Sequence, residues 1–155
     1  MTDILIRPMT IQDYDQVRSL WLTIQGFGIR ALDDSREDVA RFIRRNPTTS
    51  VVAVADGRVV GSILCGSDGR QGALYHVCVA RPYRRRGIGT RMVGCCMEQL
   101  RQMGINKVSL IAFKGNDVGN AFWRQIGWTQ VKVNYYEFVL NKDNITRFIG
   151  EDNED

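Results

Sequence analysis

The stretch Val79-Ala80-Arg81-Pro82-Tyr83-Arg84-Arg85-Arg86-Gly87-Ile88-Gly89-Thr90 brings together the residue types that hold a phosphate. An apolar run ends, a short turn follows, and the glycines fall where a helix begins. Free N–H groups in a helix's first turn point along its axis, and the dipole there favours an anion. Glycines allow close approach to the backbone, and the flanking arginines add charge. The chemistry expected of Arg84, Arg85, Arg86, Gly87, Ile88, Gly89 and Thr90 is therefore phosphate or pyrophosphate binding. Two other phosphate motifs fail on their residues. A P-loop needs Gly-Lys-Ser/Thr, which is absent. The dinucleotide fingerprint needs a third glycine where Met92 stands, and an acidic residue where Lys107 stands.

The elements that must position this turn can be read from periodicity. Ile4–Arg7 reads as a strand ended by Pro8, and Thr10 caps a helix carrying Ile11, Tyr14, Val17, Leu20, Trp21 and Ile24 on one face. Gly26 and Gly28 end it in a flexible connection. A second helix opens at Ser35 and runs to Asn46-Pro47. Val51–Ala55 and Arg58–Cys65 form a hairpin across Asp56-Gly57, and Ala73–Ala80 is the third strand of the meander. A helix follows over Gly87–Met103 with Gly104 at its C-cap. Then come a strand over Lys107–Phe113, a helix over Val118–Ile126, and a final strand pair, Trp128–Lys132 and Tyr135–Leu140. The predicted fold is α/β, a mixed sheet flanked by helices on both faces, in the order β-α-α-β-β-β-α-β-α-β-β. The crossover from Ala73–Ala80 to Lys107–Phe113 makes those two strands candidates for parallel neighbours.

The 155 residues suit one domain over 1–142, followed by an acidic polar tail over 143–155 whose end is expected to be disordered. The tail holds Asp143, Glu151, Asp152, Glu154 and Asp155 against Arg147 alone, so a net charge of +4 conceals a strongly basic body. Arg81, Arg84, Arg85, Arg86 and Arg91 concentrate that charge. Only Tyr83 is interleaved with them, so base stacking has little to work with and no nucleic-acid partner is expected. No apolar run reaches the ~20 residues of a membrane span, and the start has no signal-peptide pattern. A cytoplasmic location is the expectation. Cys65, Cys78, Cys95 and Cys96 contain no C-x-x-C pair, and His76 is the only histidine, so no metal site is expected.

Arg84-x-x-Gly87-x-Gly89 resembles the Q/R-x-x-G-x-G/A signature of the GNAT acetyltransferases. Asn116-x-x-Gly119-x-x-x-Trp123-x-x-x-Gly127-Trp128 resembles that family's N-x-x-A-x-x-x-Y-x-x-x-G-F. The resemblance runs from about Ile4 to Leu140. It implies an acetyl-CoA-dependent N-acetyltransferase in which a primary amine of a small molecule or protein attacks the thioester directly. The pantetheine arm would lie in a gap between the strands Ala73–Ala80 and Lys107–Phe113. Val77 and Val79 would offer it backbone groups, Val79 would stabilise the oxyanion, Arg85–Thr90 would hold the pyrophosphate, and Asn116 and Trp123 would contact the coenzyme.

Proton transfer departs from the family pattern. Trp123 stands where relatives often carry a tyrosine acid, and an indole N–H is too weak an acid for that role. Strict alternation puts Ala73, Tyr75, Val77 and Val79 on one face of the strand, and Leu74, His76 and Cys78 on the other. Tyr75 is then the candidate base relay or positioner, and His76 faces away in a structural role. Arg30, Asp33 and Asp34 in the first inter-helix loop, and Tyr135, Tyr136 and Glu137, are candidates for acceptor contacts, with Asp34 or Ser35 also read as a helix cap. A homodimer through the C-terminal strands is one arrangement the family offers. The missing tyrosine and acidic base also leave open a non-catalytic acyl-CoA-binding domain with a sensor or assembly role.

Overall fold

The computed structural model describes residues 3–150. Strands β1 (Ile4–Pro8), β3 (Val51–Ala55), β4 (Arg58–Ser67), β5 (Gly72–Val79) and β6 (Val108–Ser109) form one sheet in the order β1-β3-β4-β5-β6. All neighbours are antiparallel except β5 and β6, which are parallel. Strands β2 (Gly28–Arg30) and β7 (Thr146–Phe148) pair separately. The helices are α1 (Tyr14–Trp21), α2 (Arg36–Arg45), α3 (Ile88–Gln102) and α4 (Asp117–Gln125).

Local chemistry explains most boundaries. Asp56 and Gly57 both adopt positive φ, 51° and 75°, the geometry of a two-residue hairpin turn between β3 and β4. Ser35 caps α2 by accepting the Asp38 N–H at 3.2 Å. Asp13 accepts the Thr10 N–H at 2.9 Å and binds the Arg7 guanidinium through both oxygens at 2.8 Å, which anchors the entry to α1 on strand β1. The sheet then separates two cores. Met9, Val17, Trp21, Val39, Val52 and Leu64 lie on the α1 and α2 side. Val51, Ile63, Met92, Val93, Cys96 and Leu100 lie on the α3 side.

The element order differs from expectation at two places. The connection at Gly26–Gly28 is partly a strand, because residues 28–30 pair with residues 146–148 of the acidic tail. The expected pair Trp128–Lys132 and Tyr135–Leu140 does not form a ladder. Its residues have strand propensity, but Val131, Val133, Tyr136, Phe138 and Leu140 are exposed, and a strand gains stability only from a paired neighbour and a covered face. Strand β6 is likewise cut from the expected Lys107–Phe113 to two residues. The expected disorder at the chain end falls on residues 151–155, outside the described residues.

Candidate active site

Strands β5 and β6 touch only at Gly72–Val108 and Ala73–Ser109. Beyond that point β5 continues to Val79 without a neighbouring strand on that side among the described residues, which opens a gap along its edge. The backbone of β5 faces into it. The Ala80 N–H donates to Val60 O at 2.7 Å, toward β4. Strand alternation then turns Val77 and Val79 away from β4, so their polar backbone groups point into the gap. The Val79 carbonyl is engaged there by Arg84, whose Nε donates to it at 3.1 Å. Its N–H stays available.

At the end of β5 the chain makes a 3-10 turn over Arg81–Tyr83 and enters α3 through two left-handed residues, Arg85 (φ 64°) and Gly87 (φ 76°). Curled backbone of this kind turns successive N–H groups to one side. The N–H groups of Arg84 and Tyr83 are used within the turn, and that of Arg91 bonds Gly87 O at 3.1 Å. The N–H groups from Arg85 to Thr90 have no backbone acceptor among the described residues. They form a run of open donors at the positive end of a fifteen-residue helix. A Cβ on Gly87 would meet nothing within 4 Å, so the cradle is open on that side. Arg86 lies over the Tyr83 ring at 5.2 Å, which holds its charge beside the donors.

The second motif is placed less directly. Asn116 is the N-cap of α4, and its side-chain oxygen accepts the Gly119 N–H at 3.0 Å. Trp123 lies in an aromatic cluster, 4.9 Å from Phe122 and 4.8 Å from Trp128, packed against the α3-side core. Among the described residues, no group of three or more His, Cys, Asp or Glu side chains is placed to hold a metal ion.

The expected alternation along β5 does not hold. Cys78 pairs with Ser62 and Tyr75 with Leu64, so His76 and Val77 together oppose Ile63. This β-bulge carries His76 at φ 49°. Its effect on side-chain direction is visible four residues apart: Leu74 lies in the α3-side core, Cys78 in the α1-side core. Tyr75 meets Phe42 of α2, and His76 packs on Trp21 and Phe27 at 4.7 and 5.2 Å. Tyr75 and His76 therefore share one face, and Val77 and Val79 take the other. The expected grouping of Tyr75 with the two valines, and of His76 with Leu74, is corrected. Burial in the α1-side core pushes the Cys78 thiol up to about 11, so it remains protonated.

His76 Nε2 lies 2.9 Å from Asp34 Oδ1. Asp34 does not cap α2, as one reading of its position expected. Its other oxygen accepts the Arg30 N–H at 2.7 Å, and its carbonyl accepts the Tyr14 hydroxyl at 2.6 Å. Arg30 pairs with Asp33, and Tyr135 bonds Glu137 at 3.2 Å. A cavity of about 340 Å³ opens beside Asp34, lined also by Tyr14, Arg18, Ile29, Arg30, Ala31, Ser35 and Arg36.

A model described as the acetyltransferase (GNAT) family matches residues 14–128. The chain belongs to the GNAT acetyltransferase family. It is 33% identical to "Acetyltransferase SG1711" of Sodalis glossinidius over 112 residues, covering 72% of this chain and 78% of that protein. It is 27% identical to "Acetyltransferase ECA0875" of Pectobacterium atrosepticum, covering 81% and 88%. The fold is shared with the PaiA N-acetyltransferase of Thermoplasma acidophilum, solved with coenzyme A. That match has a TM-score of 0.73 at 17% identity, covering 85% of this chain and 93% of that one. Ard1 of Thermoplasma volcanium matches at a TM-score of 0.71 and 20% identity, covering 96% and 99%. In this GNAT chain the sequence motif and the open-donor turn coincide at Arg84–Thr90. The Asp34–His76 contact was not legible from spacing, since 42 residues separate the pair; the one available signal was that His76 has no other histidine to share a role with.

Proposed function

We propose that this chain is an N-acetyltransferase that takes its acetyl group from acetyl-CoA and passes it to a primary amine. The carrying observation is the run of open N–H donors from Arg85 to Thr90, set at the end of a strand with a free edge. Arg85, Arg86, Gly87, Ile88, Gly89 and Thr90 would bind the pyrophosphate through backbone donors and local charge. Val77 and Val79 would hold the pantetheine arm along the gap, and the Val79 N–H would receive the developing oxyanion. Asn116 and Trp123 would border the arm from α4, and Tyr75 would stand beside the acceptor. Acetyl-CoA supplies the activated thioester; the chain's own contribution is orientation, oxyanion stabilisation and proton handling.

The acceptor is an amine that enters from the side of the loop Gly26–Ser35. Unpaired Cys65, Cys78, Cys95 and Cys96 suit a reducing cytoplasmic setting. Self-association completes the reading: Val131, Val133, Tyr136, Phe138 and Leu140 are exposed on an extended segment that pairs with no strand among the described residues, apolar surface of the kind an interface covers. A second copy offers the same extended segment and the free outer edge of β6. Sedimentation that gives only monomer at ~100 μM would reject that part.

Calorimetric titration of acetyl-CoA and CoA at two salt concentrations tests the coenzyme site. An amine panel read by thiol release then tests transfer. Binding without turnover of any amine would leave an acyl-CoA-binding domain, and absence of binding would assign the arginine turn to another anion.

A further inference from the structure

We propose that His76, held by Asp34, accepts the proton from the attacking amine. The proposal rests on the acetyltransferase reading and assigns a residue that alternation had placed on the wrong face.

Three features of His76 carry it. The residue sits at φ 49° in the bulge of β5. A non-glycine residue in that region is strained and persists only where its surroundings enforce it. The bulge turns its ring onto the face shared with Tyr75, one residue before Val77, whose backbone opens on the coenzyme gap. Second, the ring cannot reorient freely. Trp21 and Phe27 pack on it, and Asp34 binds Nε2. Asp34 is itself fixed by the Arg30 N–H and, through its carbonyl, by Tyr14. Third, a carboxylate accepts only, so Nε2 carries the hydrogen and Nδ1 keeps its lone pair. Nδ1 has no hydrogen-bond partner, yet no buried side-chain nitrogen or oxygen among the described residues lacks one. Nδ1 is therefore not fully buried, although the side chain as a whole is only 17% exposed.

The charged and titratable groups on the elements packed around His76 are Asp34 in direct contact, Tyr14 and Arg18 on α1, Arg30 and Asp33 on the β2 segment, Arg36 at the start of α2, and Tyr75 and Cys78 on β5. In the step itself the amine nitrogen bonds to the acetyl carbon and the carbon–sulfur bond breaks. The amine's proton passes to Nδ1 and then to water, while the departing thiolate takes a proton from water.

The single histidine makes the test direct, because imidazole NMR signals of the whole protein report on His76 alone. In wild type, nitrogen shifts should identify the Nε2–H tautomer, and the acidic limb of kcat/KM for an accepted amine should follow the titration of His76. His76→Gln should lower kcat/KM about 100-fold, remove that limb, and leave the acetyl-CoA Kd within ~3-fold. Asp34→Asn removes the carboxylate that fixes the Nε2–H tautomer, so the nitrogen shifts should report a changed tautomer balance and kcat/KM should fall. A His76→Gln protein that keeps the limb or most of its activity overturns the proposal while leaving the acetyltransferase reading intact. So does a wild-type limb that departs from the His76 titration, a measurement that needs no variant to fold. A wild-type protein that binds acetyl-CoA but turns over no amine removes both.

Discussion

Arg84 reaches back from the first position of the arginine turn to the last residue of β5, its Nε donating to the Val79 carbonyl at 3.1 Å. One side chain thus couples the two parts of the proposed coenzyme site, the open N–H run and the strand edge. A charge-assisted bond of this kind contributes roughly 1.5–3 kcal/mol where solvent is excluded, and less at an exposed turn. Arg84→Ala should therefore weaken acetyl-CoA binding by about 10-fold, equivalent to ~1.4 kcal/mol. Arg84→Lys should rescue little of it, since an ammonium lacks the fixed Nε geometry. Calorimetry on the three proteins reads the difference.

Gly89 stands within the run of open donors, and a Cβ there would come within 3.3 Å of Phe122 and 3.9 Å of Val79. Gly89→Glu adds bulk and negative charge where the pyrophosphate is proposed to lie, and acetyl-CoA binding should be lost. Gly94→Glu is the matched control. It lies on the same helix, exposed, with nothing within 4 Å of its Cβ, and should bind as wild type. Equal loss in both would show that the effect is charge on α3 in general.

Trp123 is packed between Phe122 and Trp128. Trp123→Phe removes the indole N–H and part of the ring. Turnover should stay within ~3-fold, because no proton passes through that nitrogen, while stability falls by about 1–3 kcal/mol from the cavity left behind. A drop in kcat beyond ~100-fold with unchanged coenzyme affinity would contradict this.

The Arg7 guanidinium holds the Asp13 carboxyl below the usual carboxylate range, with the Thr10 N–H assisting. Asp13 is 5% exposed. A depressed folded-state value means the contribution is complete above the unfolded value of ~4 and is lost as pH falls through the folded value. Asp13→Asn should cost about 1.5–3 kcal/mol at neutral pH. In acid, wild type should lose that advantage, so that the two denaturation midpoints converge below about pH 4.

Much of this architecture is local enough to be read from residue order. The Asp56-Gly57 turn, the Ser35 cap, the α2 and α3 boundaries and the parallel β5–β6 neighbours all match expectation, because each depends on residues close in sequence or on a crossover rule. The glycine-arginine turn belongs to the same class. Its open donors follow from a helix starting where a strand has ended, and both ends are encoded within Val79–Thr90.

The missed features are those that need a partner from elsewhere in the chain. Trp128–Lys132 and Tyr135–Leu140 carry strand residues, but a ladder requires a facing edge, and alternation cannot supply one. Residues 28–30 look like a flexible link until residues 146–148 come alongside. The bulge at His76 follows from how β4 and β5 settle their register over two cores, one on each side of the sheet, and nothing in Tyr75-His76-Val77 announces it. By itself the sequence determined the family, most of the helices and the meander strands, and the turn of open donors at Arg85–Thr90, since these rest on short-range backbone preferences. Tertiary structure alone decided which way His76 points and that Asp34 meets it, because one extra residue in a strand reverses every side chain beyond it and only packing determines where that residue goes.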